Sequence, residues 1–425
     1  MPSLIDPTTG LAALELSLDY GAQSRTLLDV EHDFPRGLTR DSFALRSDQP
    51  SGVWRFAAIV DPELDPRRVI SLAEGNTPLY SSPSLCQAAL LPHLHIKHEG
   101  HNPTGSFKDR GMTVAVSRAL SSGARALACA STGNTAASLA AYAAHAGYPA
   151  LVLVPEAATA SGKLSQAVAH GARVLRISGD FDRAMEIVAE LAHRGEVALL
   201  NSANPFRIEG QKTIVFEMLQ QLNWQAPDWI VFPAGNLGNC AAFGKALREA
   251  AQLGLIDSIP RLAAVQAEGA APFAASFARG FDQLEPVRAE TIATAIRIGD
   301  PVSYARAVRS IRETNGQVLA VSDAEILMAK SEVDRAGLGA EPASCAAFAG
   351  AKKLALRGII DPRDRVVCVL TGHLLKDSDT TLAFHEGRLG ESAHVNRPLT
   401  VTPELERIQA AIADWNPAAP DTARR

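Results

Sequence analysis

Aromatic residues make up only 5% of this 425-residue chain, and its five cysteines (Cys86, Cys129, Cys240, Cys345, Cys368) are scattered, with no C-x-x-C spacing among them. That scatter argues against both a disulfide framework and a structural zinc, and it fits reduced thiols in a cytoplasm. No metal site is therefore expected. Uninterrupted apolar runs of about 18 residues are absent too, which excludes an ordinary transmembrane helix. The first residues, Met1 to Asp6, show no basic stretch followed by an apolar run, so no secretory leader is read and the expected compartment is the cytoplasm. Charge of one sign is also scarce: the net charge is −5. A nucleic acid or an anionic membrane is thus not expected as the partner, and any anion must be held by a local site.

What is present is ample apolar material, 47% of residues against 20% charged, in a chain longer than one core usually supports. Short apolar runs read as buried strands at 126–130, 150–154, 173–177, 229–232, 261–266 and 365–370. Helical stretches separate them at 136–146, 182–194, 240–253 and 343–357. Continuous apolar strands joined by helical crossovers indicate an α/β fold of mostly parallel, twisted sheets covered on both faces. Residues 1–66 carry fewer strand signals and more turns, and read as an N-terminal extension packed on the body. Residues 389–425 read as a polar C-terminal tail.

Ligands of such sheets collect at the carboxyl ends of strands, in loops that open helices. Five segments there are rich in polar residues and glycine. His98–Met112 leads through a Pro/Gly turn into a helix start bearing Lys108. Ser106 is the expected cap, and the helix dipole together with Arg110 is expected to disfavour the charged amine, as Schiff-base chemistry requires. A solvated lysine at a helix start is the ordinary alternative. Ser131–Ser138 follows an apolar strand and supplies Ser131, Thr132, Asn134 and Thr135, more capping residues than one helix start can use. Phe232–Asn239 alternates Gly235, Asn236, Leu237, Gly238 and Asn239, a backbone nest for a phosphate that is neither a P-loop nor a dinucleotide fingerprint. Asn201–Thr213 groups Asn201, Ser202 and Arg207. The arginine suits a substrate phosphate, the alternative being a structural pair with Glu209. Thr371 ends an apolar strand, where its hydroxyl can meet a buried ring nitrogen.

From about Leu28 to Asp377 the chain closely resembles the threonine synthases, of the pyridoxal 5′-phosphate (PLP)-dependent fold type II group (tryptophan synthase β-like). The resemblance rests on Ala73–Leu79, Asn102–Gly111, Ser131–Ser138, Asn201–Arg207, Gly235–Asn239, Ala293–Gly299, Glu341–Ser344 and Thr371–His373. It implies two three-layer α/β domains with the active site in the cleft between them: a large PLP-binding domain of 67–103 plus 205–388 and a small mobile domain of 104–204. It implies that Lys108 is the Schiff-base lysine, with Phe107 beside the cofactor ring. Asn134 is then expected at the cofactor's phenolic oxygen and Thr371 at its ring nitrogen, with Gly235–Asn239 around its phosphate. Ser131, Thr132, Thr135, Asn201, Ser202, Arg207 and Asn239 are expected to receive the substrate.

The activity so implied is a β,γ-elimination and replacement. O-phospho-L-homoserine and water would give L-threonine and phosphate in a homodimeric enzyme whose partner is a small phosphorylated amino acid. The alternatives are a related fold type II enzyme, cysteate synthase-like on O-phosphoserine, or a threonine/serine dehydratase. Three departures stand out. Ser17–Gly21 occupies the place where many relatives carry a Cys-x-x-Cys pair. Ala73 and Leu374 stand where glycine is common in relatives.

Overall fold

The computed structural model describes residues 3–5, 27–45, 47–156, 161–390 and 394–413. The Ser17–Gly21 departure and the proline-rich stretch Trp415–Pro420 lie outside the described residues. By its internal contacts the chain forms two units, Met1–Ser378 and Asp379–Arg425. The second contains a helix at Leu405–Ala413 with no buried residue. The first holds everything relevant to chemistry.

After an antiparallel ribbon of β1 (Ser3–Ile5) and β2 (Asp29–Glu31), the chain lays down β3 (Leu79–Tyr80) and β4 (Leu94–His98). It then leaves to build a second sheet from β5 (Leu127–Ala130), β6 (Ala150–Pro155), β7 (Arg173–Ile177) and β8 (Ala198–Leu199). It returns with β9 (Trp229–Pro233), β10 (Arg261–Ala267), β11 (Gln317–Val321) and β12 (Val366–Leu370). The larger sheet runs β11-β10-β9-β12-β4-β3 and the smaller β7-β6-β5-β8. Every pair in both is parallel except β3 with β4 at one edge. The architecture is therefore α/β with mostly parallel sheets.

Side-chain alternation explains why these strands read as continuous apolar runs. In β9, Ile230 and Phe232 enter one core while Trp229 and Val231 enter the core on the opposite face. Strand β12 divides Val367 and Val369 from Val366, Cys368 and Leu370 in the same way. In the smaller sheet Leu127 and Cys129 face one core, Ala128 and Ala130 the other. With both faces covered, a strand has no place for a polar residue unless that residue is paired. Strand β4 shows the paired case and was not read from sequence for that reason. Its Lys97 is fully buried, yet its ammonium donates to Glu217 at 2.6 Å and to the Thr77 carbonyl at 2.8 Å.

The segment from Leu28 to His32 is fastened to the larger half of the fold. Asp29 pairs with Arg306 at 2.8 Å and Arg309 at 2.7 Å, and His32 Nε2 lies 3.2 Å from Glu209. The carbonyls of Leu28 and Val30 accept from Arg306 and Lys245. Among the described residues no helix is long and apolar enough to cross a membrane.

Candidate active site

Four helices open at the polar segments. They are α1 (Lys108–Ser121), α2 (Asn134–Ala146), α3 (Gly238–Gln252) and α4 (Pro342–Leu356). The loop leaving β5 enters α2, the loop leaving β9 enters α3, and Thr371 directly follows β12, so each places its residues at the carboxyl end of a parallel strand. A cleft of about 2270 Å³ brings them together. Phe107, Lys108, Ser131, Thr132, Asn134, Thr135, Asn201, Ser202, Arg207, Gly235, Asn236, Leu237, Gly238, Asn239 and Thr371 all line it.

Lys108 is the first residue of α1, and its Nζ lies 4.2 Å from the centroid of the Phe107 ring. Its pKa is pushed down to about 7, first by burial and then by the positive charge of Arg207, with Glu341 opposing. Two local expectations are overturned. Ser106 does not cap α1: the cap position is Phe107 without a side-chain bond, and Ser106 Oγ is buried without a partner. Asp109 instead reaches back, accepting from the amide and the hydroxyl of Thr104 at 2.7 Å each and from Ser138 at 2.6 Å. Nor is Arg110 the cation that acts on the lysine. Its guanidinium turns into the core, donating to Glu99 at 2.6 Å and Glu217 at 2.7 Å. A carboxylate pair that sequence spacing does not reveal satisfies it.

Arg207 contrasts with Arg110. It is buried, its Nη1 donates to the Leu200 carbonyl at 3.3 Å, and its Nε and Nη2 have no partner. Burial pushes its pKa down to about 10. The alternative pairing with Glu209 does not form, because Glu209 is taken by Lys212 at 2.6 Å, by Lys245 and by His32. A buried cation with two unpartnered donors has the chemistry to receive an anion. Asn201 is differently placed. Its Oδ1 accepts from the Ala130 amide at 2.9 Å and its Nδ2 donates to the Ala130 carbonyl at 2.8 Å, so its amide braces the end of β5.

In the Gly235–Asn239 loop Leu237 takes φ +64° at the start of α3, bending the backbone so that the helix's first amides open onto the cleft. A Cβ at Gly235 would lie 3.1 Å from Ile296 Cα. Nearby, Asn239 Oδ1, Gln211 Oε1 and Ser303 Oγ are buried without partners.

Two residues at the start of α4, its N-cap Glu341 and Ser344 in its first turn, were quoted in the family motif but given no role by sequence reasoning. Ser344 Oγ accepts from the amides of Thr371 at 3.0 Å and Gly372 at 2.8 Å, and lies 3.0 Å from Thr371 Oγ1. Both its lone pairs are filled, so its proton must go outward, to Thr371 Oγ1 or to the Gly372 carbonyl at 3.3 Å. The shorter contact makes Thr371 the acceptor and leaves the Thr371 O–H to donate into the cleft. Glu341 is buried and accepts from Asn134 Nδ2 at 3.1 Å. Its pKa is pushed up to about 7 by burial, opposed by Lys376. The only local signal for Glu341 is a carboxylate directly before Pro342 in an otherwise apolar helix start.

These groups match the needs of pyridoxal phosphate: a buried amine poised near neutrality, a glycine-bearing helix start for a phosphate, and a hydroxyl and an amide donor facing the space between. Residues 70–372 match the family model of pyridoxal-phosphate dependent enzymes, the class to which the chain belongs. Over 388 residues it is 45% identical to the threonine synthase of Methanosarcina acetivorans, covering 91% of this chain and 92% of that one. The chloroplastic threonine synthase 2 of Arabidopsis thaliana is 38% identical over 93% of this chain and 81% of its own. Within its class the chain belongs to the threonine synthase family. Solved structures share the fold at lower identity. Escherichia coli threonine synthase superposes with TM-score 0.64 at 20% identity, over 92% of this chain and 90% of that one. Tomato (Solanum lycopersicum) threonine deaminase isoform 2 gives 0.64 at 21%, over 84% and 94%.

Proposed function

We propose that the cleft converts O-phospho-L-homoserine and water to L-threonine and phosphate, with pyridoxal phosphate held on Lys108. The observation that carries the substrate choice is Arg207, a buried guanidinium with two unpartnered donors in the same cleft as the near-neutral lysine. A dehydratase acting on an unphosphorylated hydroxy amino acid has no need of that cation.

Bound through its aldehyde to Lys108 Nζ, the cofactor supplies an electron sink that makes the substrate's Cα–H acidic. The Gly235–Asn239 amides would hold its phosphate at the start of α3. Phe107 would pack beside its ring. Asn134 would donate to its phenolic oxygen, and Thr371, whose hydroxyl proton Ser344 directs into the cleft, would donate to a ring nitrogen that carries no proton of its own. The depressed pKa leaves a large neutral fraction of the amine, which is the form that binds an aldehyde and later accepts protons.

Lys108 Nζ would be the base for the Cα proton and, once it has released that proton, for a Cβ proton as the Cγ–O bond breaks. It would then be the acid that returns protons to Cγ and Cα. Arg207 and Ser202 would hold the departing phosphate, with Asn239 beside them, and Ser131, Thr132 and Thr135 would hold the carboxylate at the start of α2. Water then adds at Cβ. Asn201 contributes by bracing Ala130. The smaller sheet's segment, 104–204, is assigned as a small mobile domain closing on a large one of 67–103 plus 205–388. The protein is further assigned to the cytoplasm as a homodimer, which light scattering on the purified protein tests.

The discriminating experiment measures phosphate release from O-phosphohomoserine beside O-phosphoserine, with ammonia release from threonine alongside. Threonine and phosphate formed in equal amounts from the first substrate support the reading. Faster turnover of O-phosphoserine, or of threonine, overturns it.

A further inference from the structure

The carboxylate of Glu341 has no part in the chemistry proposed above, yet it lies in the cleft, buried, at the entrance to α4. Its backbone is locked, since its amide donates to the Gly372 carbonyl at 3.1 Å. Its side chain occupies space that only glycine at 372 leaves open: a Cβ there would lie 2.3 Å from Glu341 Oε1. The charges it feels are Lys376 and Lys108, which favour its ionised form, and Asp377, which opposes it. Lys376 is engaged elsewhere, donating to the Thr104 carbonyl at 2.8 Å and to Gln166. What the carboxylate binds is Asn134, whose Nδ2 lies 3.1 Å from Oε1 and 3.4 Å from Oε2.

An asparagine amide has two ends of opposite polarity, and either can face a ligand. Below about pH 7, the value to which burial raises it, a protonated Glu341 can donate as well as accept. Above that value Glu341 is ionised and only accepts, so the amide beside it must present its NH2 end. One N–H is then used by Glu341 and the other remains for the cleft. The reverse orientation would set Asn134 Oδ1 against the carboxylate and offer no donor to the anionic phenolic oxygen that the functional reading places there. We infer that Glu341 is a positioning residue that fixes the Asn134 amide with its donor end toward the cofactor's phenolic oxygen, an inference that rests on the functional reading above.

The phenolic oxygen absorbs in the visible when it is anionic and held by a donor, and in the near ultraviolet when it carries its own proton. The ratio of these two bands in the cofactor-loaded protein, read above about pH 7, therefore reports the Asn134 orientation without turnover. Glu341→Gln keeps size but both donates and accepts, so it no longer selects one amide end. The ratio should fall by roughly tenfold, the difference between a charge-assisted hydrogen bond and a neutral one. Glu341→Asp retains the charge and should recover part of the visible band. In an Asn134→Ala background Glu341→Gln should add no further change, since one side chain acts through the other.

An unchanged band ratio in a folded, coloured Glu341→Gln protein overturns the inference, as does an additive effect in the Asn134→Ala background. Should Glu341→Gln fail to fold, the Asp variant decides alone: a ratio lowered but not abolished supports the role, and an unchanged ratio, or loss of the visible band despite the retained charge, refutes it. A wild-type protein that takes up no cofactor overturns the functional reading itself, a result distinct from any of these.

Discussion

Replacing Arg207 with leucine should make the protein more stable and nearly inactive at once. The guanidinium is 1% exposed, makes one 3.3 Å hydrogen bond through Nη1, and leaves Nε and Nη2 unpaired. Burial depresses its pKa from above 12 to about 10. That depression, at about 1.4 kcal/mol for each tenfold change in the acidity constant, is a folding penalty of roughly 3–4 kcal/mol. The sign is that of a base lowered on folding. The penalty is fully present below the folded value of about 10, so all of it applies at neutral pH, and it fades only as pH rises above that value.

Leucine removes the penalty and fills much of the same space, and replacing buried charge with apolar groups is commonly stabilising by about 1–4 kcal/mol. For turnover the change runs the other way. Two charge-assisted hydrogen bonds to a phosphate contribute roughly 1.5–3 kcal/mol each, so kcat/KM for a phosphorylated substrate should fall by about 10²–10⁴-fold. Urea unfolding of the ligand-free protein measures the first quantity and phosphate release the second. A leucine variant that is less stable than wild type, or that turns over within tenfold of it, refutes the reasoning. Loss of cofactor from that variant would refute the placement of Arg207 at the substrate.

Other perturbations test neighbouring groups. Uptake of pyridoxal phosphate by the cofactor-free protein should slow about tenfold for each pH unit below about 7, the value to which burial brings the Lys108 amine, because only the neutral form attacks an aldehyde. A rate flat down to pH 5.5 in stopped-flow absorbance would show that the amine is not the titrating group. Ser344→Ala strands the amides of Thr371 and Gly372, each at about 1–3 kcal/mol. Chemical denaturation should show a loss of at least about 2 kcal/mol, and no loss would mean that water replaces the hydroxyl. Ala73 sits exposed at φ +59°, a conformation that costs a side-chain-bearing residue about 1–2 kcal/mol. Ala73→Gly should therefore raise the melting temperature despite glycine's extra chain freedom, and a lower value would locate the strain elsewhere.

The apolar runs that became β5, β6, β9, β10 and β12 were legible because a doubly covered strand tolerates little except apolar residues, and Trp229–Phe232 divides between two cores accordingly. Strand β7, read as buried, is instead a largely exposed edge strand whose two arginines face solvent. The polar loops at the strands' carboxyl ends were legible for the complementary reason: Ser131–Asn134 and Gly235–Asn239 gather glycine and polar residues directly after an apolar run ends. Periodicity missed β4, whose Lys97 breaks the apolar pattern but finds Glu217 far along the chain. Local spacing also misassigned the helix cap to Ser106 and the lysine's cationic neighbour to Arg110.

The sequence alone thus determined the order of six strands with the helices between them, and the residue types offered at their ends, since both follow from local hydrophobic pattern and turn chemistry. Only the tertiary structure decided which charges are paired and which are left free. Arg110 and Arg207 are the same residue type at helix starts, yet one meets two carboxylates and the other meets none. Burial and long-range pairing set that difference, and they arise only when segments a hundred residues apart are packed into one interior.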